Sequence, residues 1–187
     1  MKNRSVLLSL VVAILTGPQM TAATLKASQE SLGVQVWLDD MPAVTYRARI
    51  DGDWLVVQAE HEPGWHTYAM DNVVRARKKS GKAQPETELP TVITPLDGQS
   101  VRGPWRQSAP VDLSTPEIRW FTWGFEAKSY FAVRIDNAAD PSSVQIDAQA
   151  CTEALCAMVE ALVVPIDAQD SAPSWSVDPE SLVVVSE

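Results

Sequence analysis

Short apolar runs that alternate with polar residues, each closed by a turn signal, constrain this chain more than any other feature. "VTYRARI" (Val44 to Ile50) is followed by "DGD" and then by "WLVVQAE" (Trp54 to Glu60), the pattern of a β-hairpin with Asp51-Gly52 at its tip. "FAVRI" (Phe131 to Ile135) is a further strand. "VQIDAQA" puts Val144, Ile146, Ala148 and Ala150 on one face and Gln145, Asp147 and Gln149 on the other. "VEALVVPI" (Val159 to Ile166) reads as another strand, and the prolines fall mainly in the connections. Helical periodicity is scarce. Short strands of this kind predict an all-β fold, most simply an immunoglobulin-like β-sandwich forming a single domain.

Between these runs, the stretch from Asp71 to Ile118 is long, irregular and rich in Pro, Gly, Ser and Thr. A loop of that length is either functional or carries short strands of its own. Its basic cluster "RARKKSGK" (Arg75 to Lys82) is expected to be a solvated loop. The chain's net charge of -9 argues against nucleic acid or an anionic membrane as partner.

The opening "MKNRSVLLSLVVAILTGPQMTAAT" has a positive end, a short apolar core and small residues at Thr21-Ala22-Ala23. This is the pattern of a cleaved secretory leader over residues 1–23, with an apolar run too short to span a bilayer. Residues 24–166 then form the domain, and 167–187 an acidic C-terminal tail or an extra strand. The expected location is periplasmic or secreted, with no membrane contact in the mature form. Outside the cytosol a disulfide persists.

The chain has two cysteines, Cys151 and Cys156, in "QACTEALCAM". With "TEAL" as a hairpin loop they face each other at about 4.5–5.5 Å between Cα atoms, within the reach of a disulfide. By the alternation of "VQIDAQA", Cys151 falls on the outward face with Gln149, where a partner reaches it. As a staple the bond is modest, since so short a loop gains about 2 kcal/mol. The spacing leaves three readings open: an inert crosslink, an exchangeable disulfide, or half of a metal site completed by His61 and His66. The Pro63-Gly64 turn between the histidines weighs against the metal, and His61 is expected to be exposed and solvated.

"EPGWHTYAMDN", "GPWRQSAPVDL", "FTWGFEAKSYFAVRI" and "IDAQACTEALCAMVEALVVPI" occur in that order over Val44 to Ile166. This series resembles the disulfide bond corrector family, the N-terminal periplasmic domain of the thiol:disulfide interchange protein DsbD. Its most specific parts are Gly64-Trp65-His66-Thr67-Tyr68 and the Cys-x4-Cys hairpin. The resemblance implies an immunoglobulin-like fold and a redox shuttle whose working group is the disulfide itself, with no other cofactor. Electrons would come from a thioredoxin-like or membrane electron-carrier protein. They would pass to oxidised periplasmic thiol proteins, including disulfide isomerases and cytochrome c biogenesis factors. It further implies that Cys156 attacks, that Cys151 resolves the mixed disulfide, and that His66 and Tyr68 lie beneath the pair. Phe121, Trp123 and Phe125 of "WFTWGFE" would form an aromatic cap. Two departures are the "AMVE" after Cys156, where the family often has prolines, and Glu153 between the cysteines, whose carboxylate disfavours a thiolate. The alternative is a secreted β-sandwich binding module with an inert disulfide and tryptophans serving a ligand surface.

Overall fold

The computed structural model describes residues 33–82, 88–98, 100–136, 143–167 and 176–187; the leader expected over 1–23 lies outside them. β1 (Val34–Leu38) turns at Asp39-Asp40 into β2 (Met41–Asp51), which returns as β3 (Trp54–His61). Asp51 pairs with Trp54, leaving a two-residue loop in which Gly52 has φ 61, a conformation that costs glycine nothing because it lacks Cβ. β4 (His66–Tyr68), α1 (Asn72–Ser80), β5 (Val92–Pro95), β6 (Val101–Gln107) and β7 (Val111–Asp112) follow. β8 (Trp123–Phe125), β9 (Lys128–Ile135), β10 (Ser143–Cys151), β11 (Cys156–Asp167) and β12 (Val183–Val184) complete the chain.

The strands join in the order β12-β6-β9-β3-β2-β11-β10-β4-β8-β7, with β1 added on β2 and β5 on β10. The two halves of this order share one core. Val44, Tyr46, Leu55, Val57, Phe131 and Val133 come from the first, and Val144, Ile146, Ala148, Ala150, Val159 and Val164 from the second. These are the alternate residues of each strand, so the sheet folds over itself as two layers, the sandwich arrangement expected from the alternation. Each large apolar side chain so buried contributes about 1.5–3 kcal/mol.

β11 is the strand the layers share. It pairs antiparallel along β10, and at Ile166 and Asp167 it runs parallel to Ala48 and Arg49 of β2. A bulge bends it on the way: Ile146 pairs with Leu162 but Ala148 with Val159, so Glu160 and Ala161 oppose Asp147 alone. Ala161 has φ 50, and its N–H donates to Asp147 Oδ1 at 2.8 Å while Gln145 Nε2 donates to Oδ2 at 2.8 Å.

The stretch from Asp71 to Ile118 departs from the irregular reading. "RARKKS" lies within α1, which closes at Gly81 with Arg77, Lys78 and Lys79 in its last turn, where cations suit the helix dipole. Only Asn72 and Ala76 are buried on it, so no apolar stripe signalled a helix. The end of the chain docks as an extra strand: Val183 and Val184 pair with Gln107 and Arg106 of β6, and Leu182 packs on Val56 and Ala132.

Candidate functional site

The tip between β10 and β11 is a tight turn through Glu153-Ala154. Thr152 N–H donates to Leu155 O at 2.7 Å, and the Thr152 hydroxyl accepts from Ala154 N–H at 3.2 Å and Leu155 N–H at 3.0 Å. Cys151 and Cys156 are therefore directly opposed, with Cα atoms 4.0 Å apart, and are joined by a disulfide. Because Thr152 and Leu155 are hydrogen-bonded to each other, the cysteines form the neighbouring pair that shares no ladder hydrogen bond, the closer of the two antiparallel pair types.

The two sulfur residues differ in access. Ala150 points into the core, so Cys151 lies on the outer face as its parity predicts, yet it is only 1% exposed, whereas Cys156 is exposed. The expectation that Cys151 is reachable is thus corrected. β4 flanks β10 on its far side and sets His66 directly opposite Cys151. No strand among the described residues flanks β11 beside Cys156.

β4 carries His66 and Tyr68, the two residues that the resemblance puts beneath the pair. The Glu62–Trp65 turn closes with Trp65 N–H on Glu62 O at 3.0 Å, and His66 and Tyr68 then emerge on the outer face. His66 Nε2 lies 3.1 Å from the Tyr68 hydroxyl, the rings edge-on at 5.3 Å. Burial holds His66 below the usual histidine range, against the opposing pull of Glu126 and Glu88, so near neutral pH it is the uncharged imidazole. Burial, reinforced by Glu88, raises Tyr68, which stays a neutral phenol. β8 can approach β4 only because of Gly124: a Cβ there would lie 2.2 Å from Thr67 O and 2.9 Å from Leu113 Cδ1.

Between β4 and the hairpin tip lies an open cleft of about 980 Å³ walled by Trp65, His66, Tyr68, Glu88, Trp120 and Glu126, with Thr152 to Ala154 at its rim. Of the three aromatics expected as a cap, Phe125 is buried in the core, edge-on to Phe131 at 5.4 Å. Trp123 packs against the same core, and Phe121 is half-buried outside the cleft wall. The aromatic that this segment contributes to the cleft is Trp120, whose Nε1 donates to Glu88 Oε1. Phe125 pairs with Thr67, which faces inward, so Trp123 and Phe125 face inward too. Trp120 sits on a folded-back segment. Its N–H and C=O exchange hydrogen bonds with Thr115, and Leu113 N–H donates to Thr122 O at 3.0 Å. Asn72 at the start of α1 moors this segment, its Oδ1 accepting from Thr122 Oγ1 and from Trp123 N–H.

His61, expected to be solvated, is buried. Its Nδ1 bonds Ala127 O, which can only accept, so Nδ1 carries the proton and Nε2 accepts from the Thr67 hydroxyl at 2.8 Å. Burial holds it below the usual histidine range. His61 faces the inner layer and His66 the outer, and both sulfurs are engaged with each other, so the four residues do not converge as a metal site. Among the described residues no group of three or more His, Cys, Asp and Glu is disposed to hold an ion, and no helix is long and apolar enough to cross a membrane. In comparisons with known proteins, the chain matches no family model and no curated protein.

Proposed function

We propose that this chain is an exported thiol:disulfide exchange domain that carries reducing equivalents to oxidised thiol proteins through the Cys151–Cys156 bond. The observation that carries the reading is the unequal access of two directly opposed sulfur residues at an exposed hairpin tip, one 1% exposed and the other open to solvent. An inert staple needs no such asymmetry; an exchange site needs one sulfur to meet a partner and one to wait.

Loading begins when the thiolate of a reduced donor attacks Cys156 Sγ. The Cys151–Cys156 bond breaks, a mixed disulfide forms, and Cys151 leaves as thiolate and takes up a proton. The donor's second thiol then displaces Cys156, leaving the donor oxidised and both cysteines of this chain reduced. Delivery reverses the roles: the Cys156 thiolate attacks an acceptor's disulfide, and Cys151 resolves the intermediate. On loading, Cys151 takes its proton from water; on delivery, neutral His66, its cross-strand neighbour, accepts the proton that Cys151 gives up as it resolves the intermediate. Trp120 takes the capping role first assigned to Phe121, Trp123 and Phe125, limiting access of small oxidants to the cleft beside the pair. The donor is a thioredoxin-like or membrane electron-carrier protein, and the acceptors are periplasmic thiol proteins.

A Cys151→Ala variant keeps the attacking sulfur and removes the resolving one, so it accumulates mixed disulfides through Cys156 when incubated with oxidised periplasmic thiol proteins. Cys156→Ala captures none. A reduction potential well below about -300 mV, the range of inert structural bonds, or equal capture by the two variants, would overturn the assignment.

A further inference from the structure

Hydrogen-bond phase decides which backbone groups of β11 are used. Thr152 and Leu155 are a hydrogen-bonded pair, so along the hairpin Ala157 and Val159 turn their N–H and C=O toward β10. Cys156 and Met158 turn theirs the other way. On that side β11 meets β2 only at Ile166 and Asp167, and no strand of the described residues pairs with the segment that bears the reactive sulfur. The side chain of Met158 stands 47% exposed on the same outer face as Cys156, and Leu155 is 49% exposed at the turn.

We infer that this open edge is the docking site for the redox partner, and that the occupant is an extended segment of the partner carrying its own reactive cysteine, added to β11 as a further strand. The inference rests on the exchange reading above and specifies how the partner is received. Unpaired N–H and C=O groups spaced two residues apart are satisfied by one kind of occupant, another extended backbone. In antiparallel pairing, the partner residue opposite Cys156 belongs to a hydrogen-bonded pair with Cα atoms about 5.5 Å apart, a common separation for a disulfide. The sulfurs then lie in a row across three strands: Cys151 on β10, Cys156 on β11 and the incoming cysteine beyond it. Displacement at sulfur proceeds along the axis of the bond being broken, from behind the sulfur attacked. That approach to Cys156 is along the open edge, whereas the same approach to Cys151 comes from β4, where His66 stands. The edge therefore selects Cys156 as the sulfur attacked and Cys151 as the one released, independently of their exposure.

The probes are a short cysteine peptide with β-branched flanks and the same peptide N-methylated at its cysteine and at the residue two positions before it, the amides that face β11. The thiol is unchanged and the ladder hydrogen bonds are lost. The intact peptide should open the Cys151–Cys156 bond about tenfold faster than the methylated one, the factor expected for losing one or two hydrogen bonds. In Met158→Pro, which deletes an N–H that β10 does not use, opening by the intact peptide should slow while opening by dithiothreitol is unchanged. Amide hydrogen exchange on the unaltered protein supplies an arm that needs no variant: Met158 should exchange fast and Ala157 slowly. Equal rates for the two peptides with the bond still opened by dithiothreitol, or a protected Met158 amide, overturn the docking inference and leave the exchange reading standing. A bond that neither peptide nor dithiothreitol opens overturns the exchange reading itself.

Discussion

His61 ties the layer that carries the core strands to β4, which carries His66 and Tyr68, and it does so as a neutral ring. Its pKa, like that of His66, lies below the unfolded value, chiefly through burial. The unfolded chain therefore binds more protons as the medium acidifies, and the stability these histidines support is complete above about pH 6.5 and lost as pH falls below it. The denaturant midpoint should drop between pH 7 and pH 5, and drop less in His61→Gln; a flat profile in the parent protein would contradict the burial argument. Thr67→Val leaves Nε2 without its donor and should cost about 1–3 kcal/mol, read from urea unfolding at pH 7. The inward position of His61 was legible: it continues the parity of Leu55, Val57 and Ala59. The charged neighbours Glu60 and Glu62 and the turn at Pro63 masked that signal. Trp120 was hidden for another reason, because strand alternation does not run through the folded-back segment from Leu113 to Thr122.

At the level of elements, β10 and β11 position the sulfurs, and the bulge opposite Asp147 sets where β11 leaves one layer for the other. Ala161 sits there in the left-handed region, which costs an L-residue with a Cβ about 1–2 kcal/mol. Ala161→Gly should raise the thermal midpoint without changing the rate at which dithiothreitol opens the disulfide; a lower midpoint would mean that this backbone conformation is not the one adopted. Asp147 holds the bulge through its carboxylate, kept below the usual range by the Ala161 N–H and then by Gln145, so Asp147→Ala should lower the same midpoint. Gly124→Ala tests the β4–β8 contact. Its Cβ meets a backbone oxygen rather than a flexible side chain, so β8 must move, at about 1–3 kcal/mol. The hairpin bearing the cysteines was readable because its pairing is local and period-two. α1 was not, since it buries almost nothing and rests on Asn72, Ala76 and its final glycine.

Across the whole molecule, Asp71 ties the start of α1 to two distant parts of the chain. Its Oδ1 accepts from Arg75 Nε and from Gln107 Nε2, each at 2.7 Å, and its Oδ2 accepts the Ser186 N–H at 3.2 Å. Burial alone would raise its pKa; the hydrogen bonds from Arg75, Gln107 and Ser186 outweigh it and hold the carboxyl low, so this junction holds above the ordinary carboxylate range and weakens as pH falls through it. Around it the last residues cover the outside of the first layer. Arg106 donates to the carbonyls of Glu180 and Leu182, and Arg134, 4.3 Å from the Trp54 ring, reaches the Glu180 carboxylate at 2.6 Å. None of these contacts could be read from the acidic, proline-containing tail, because each depends on a residue more than forty positions away. The parallel contact of β11 with β2 escaped for the same reason. β12 and the β10–β11 hairpin lie in different halves of the strand order and share no hydrogen bond, so stability and redox chemistry should separate. Deleting residues 176–187 uncovers Val56 and Ala132, removes one partner of Asp71, and should lower the unfolding free energy by about 2–4 kcal/mol. The rate at which dithiothreitol opens Cys151–Cys156, measured at a temperature where the shortened chain stays folded, should match that of the full chain. A slower or faster opening would mean that the hairpin tip depends on the far layer, and that the exposed Cys156 owes its access to more than the missing strand beside it.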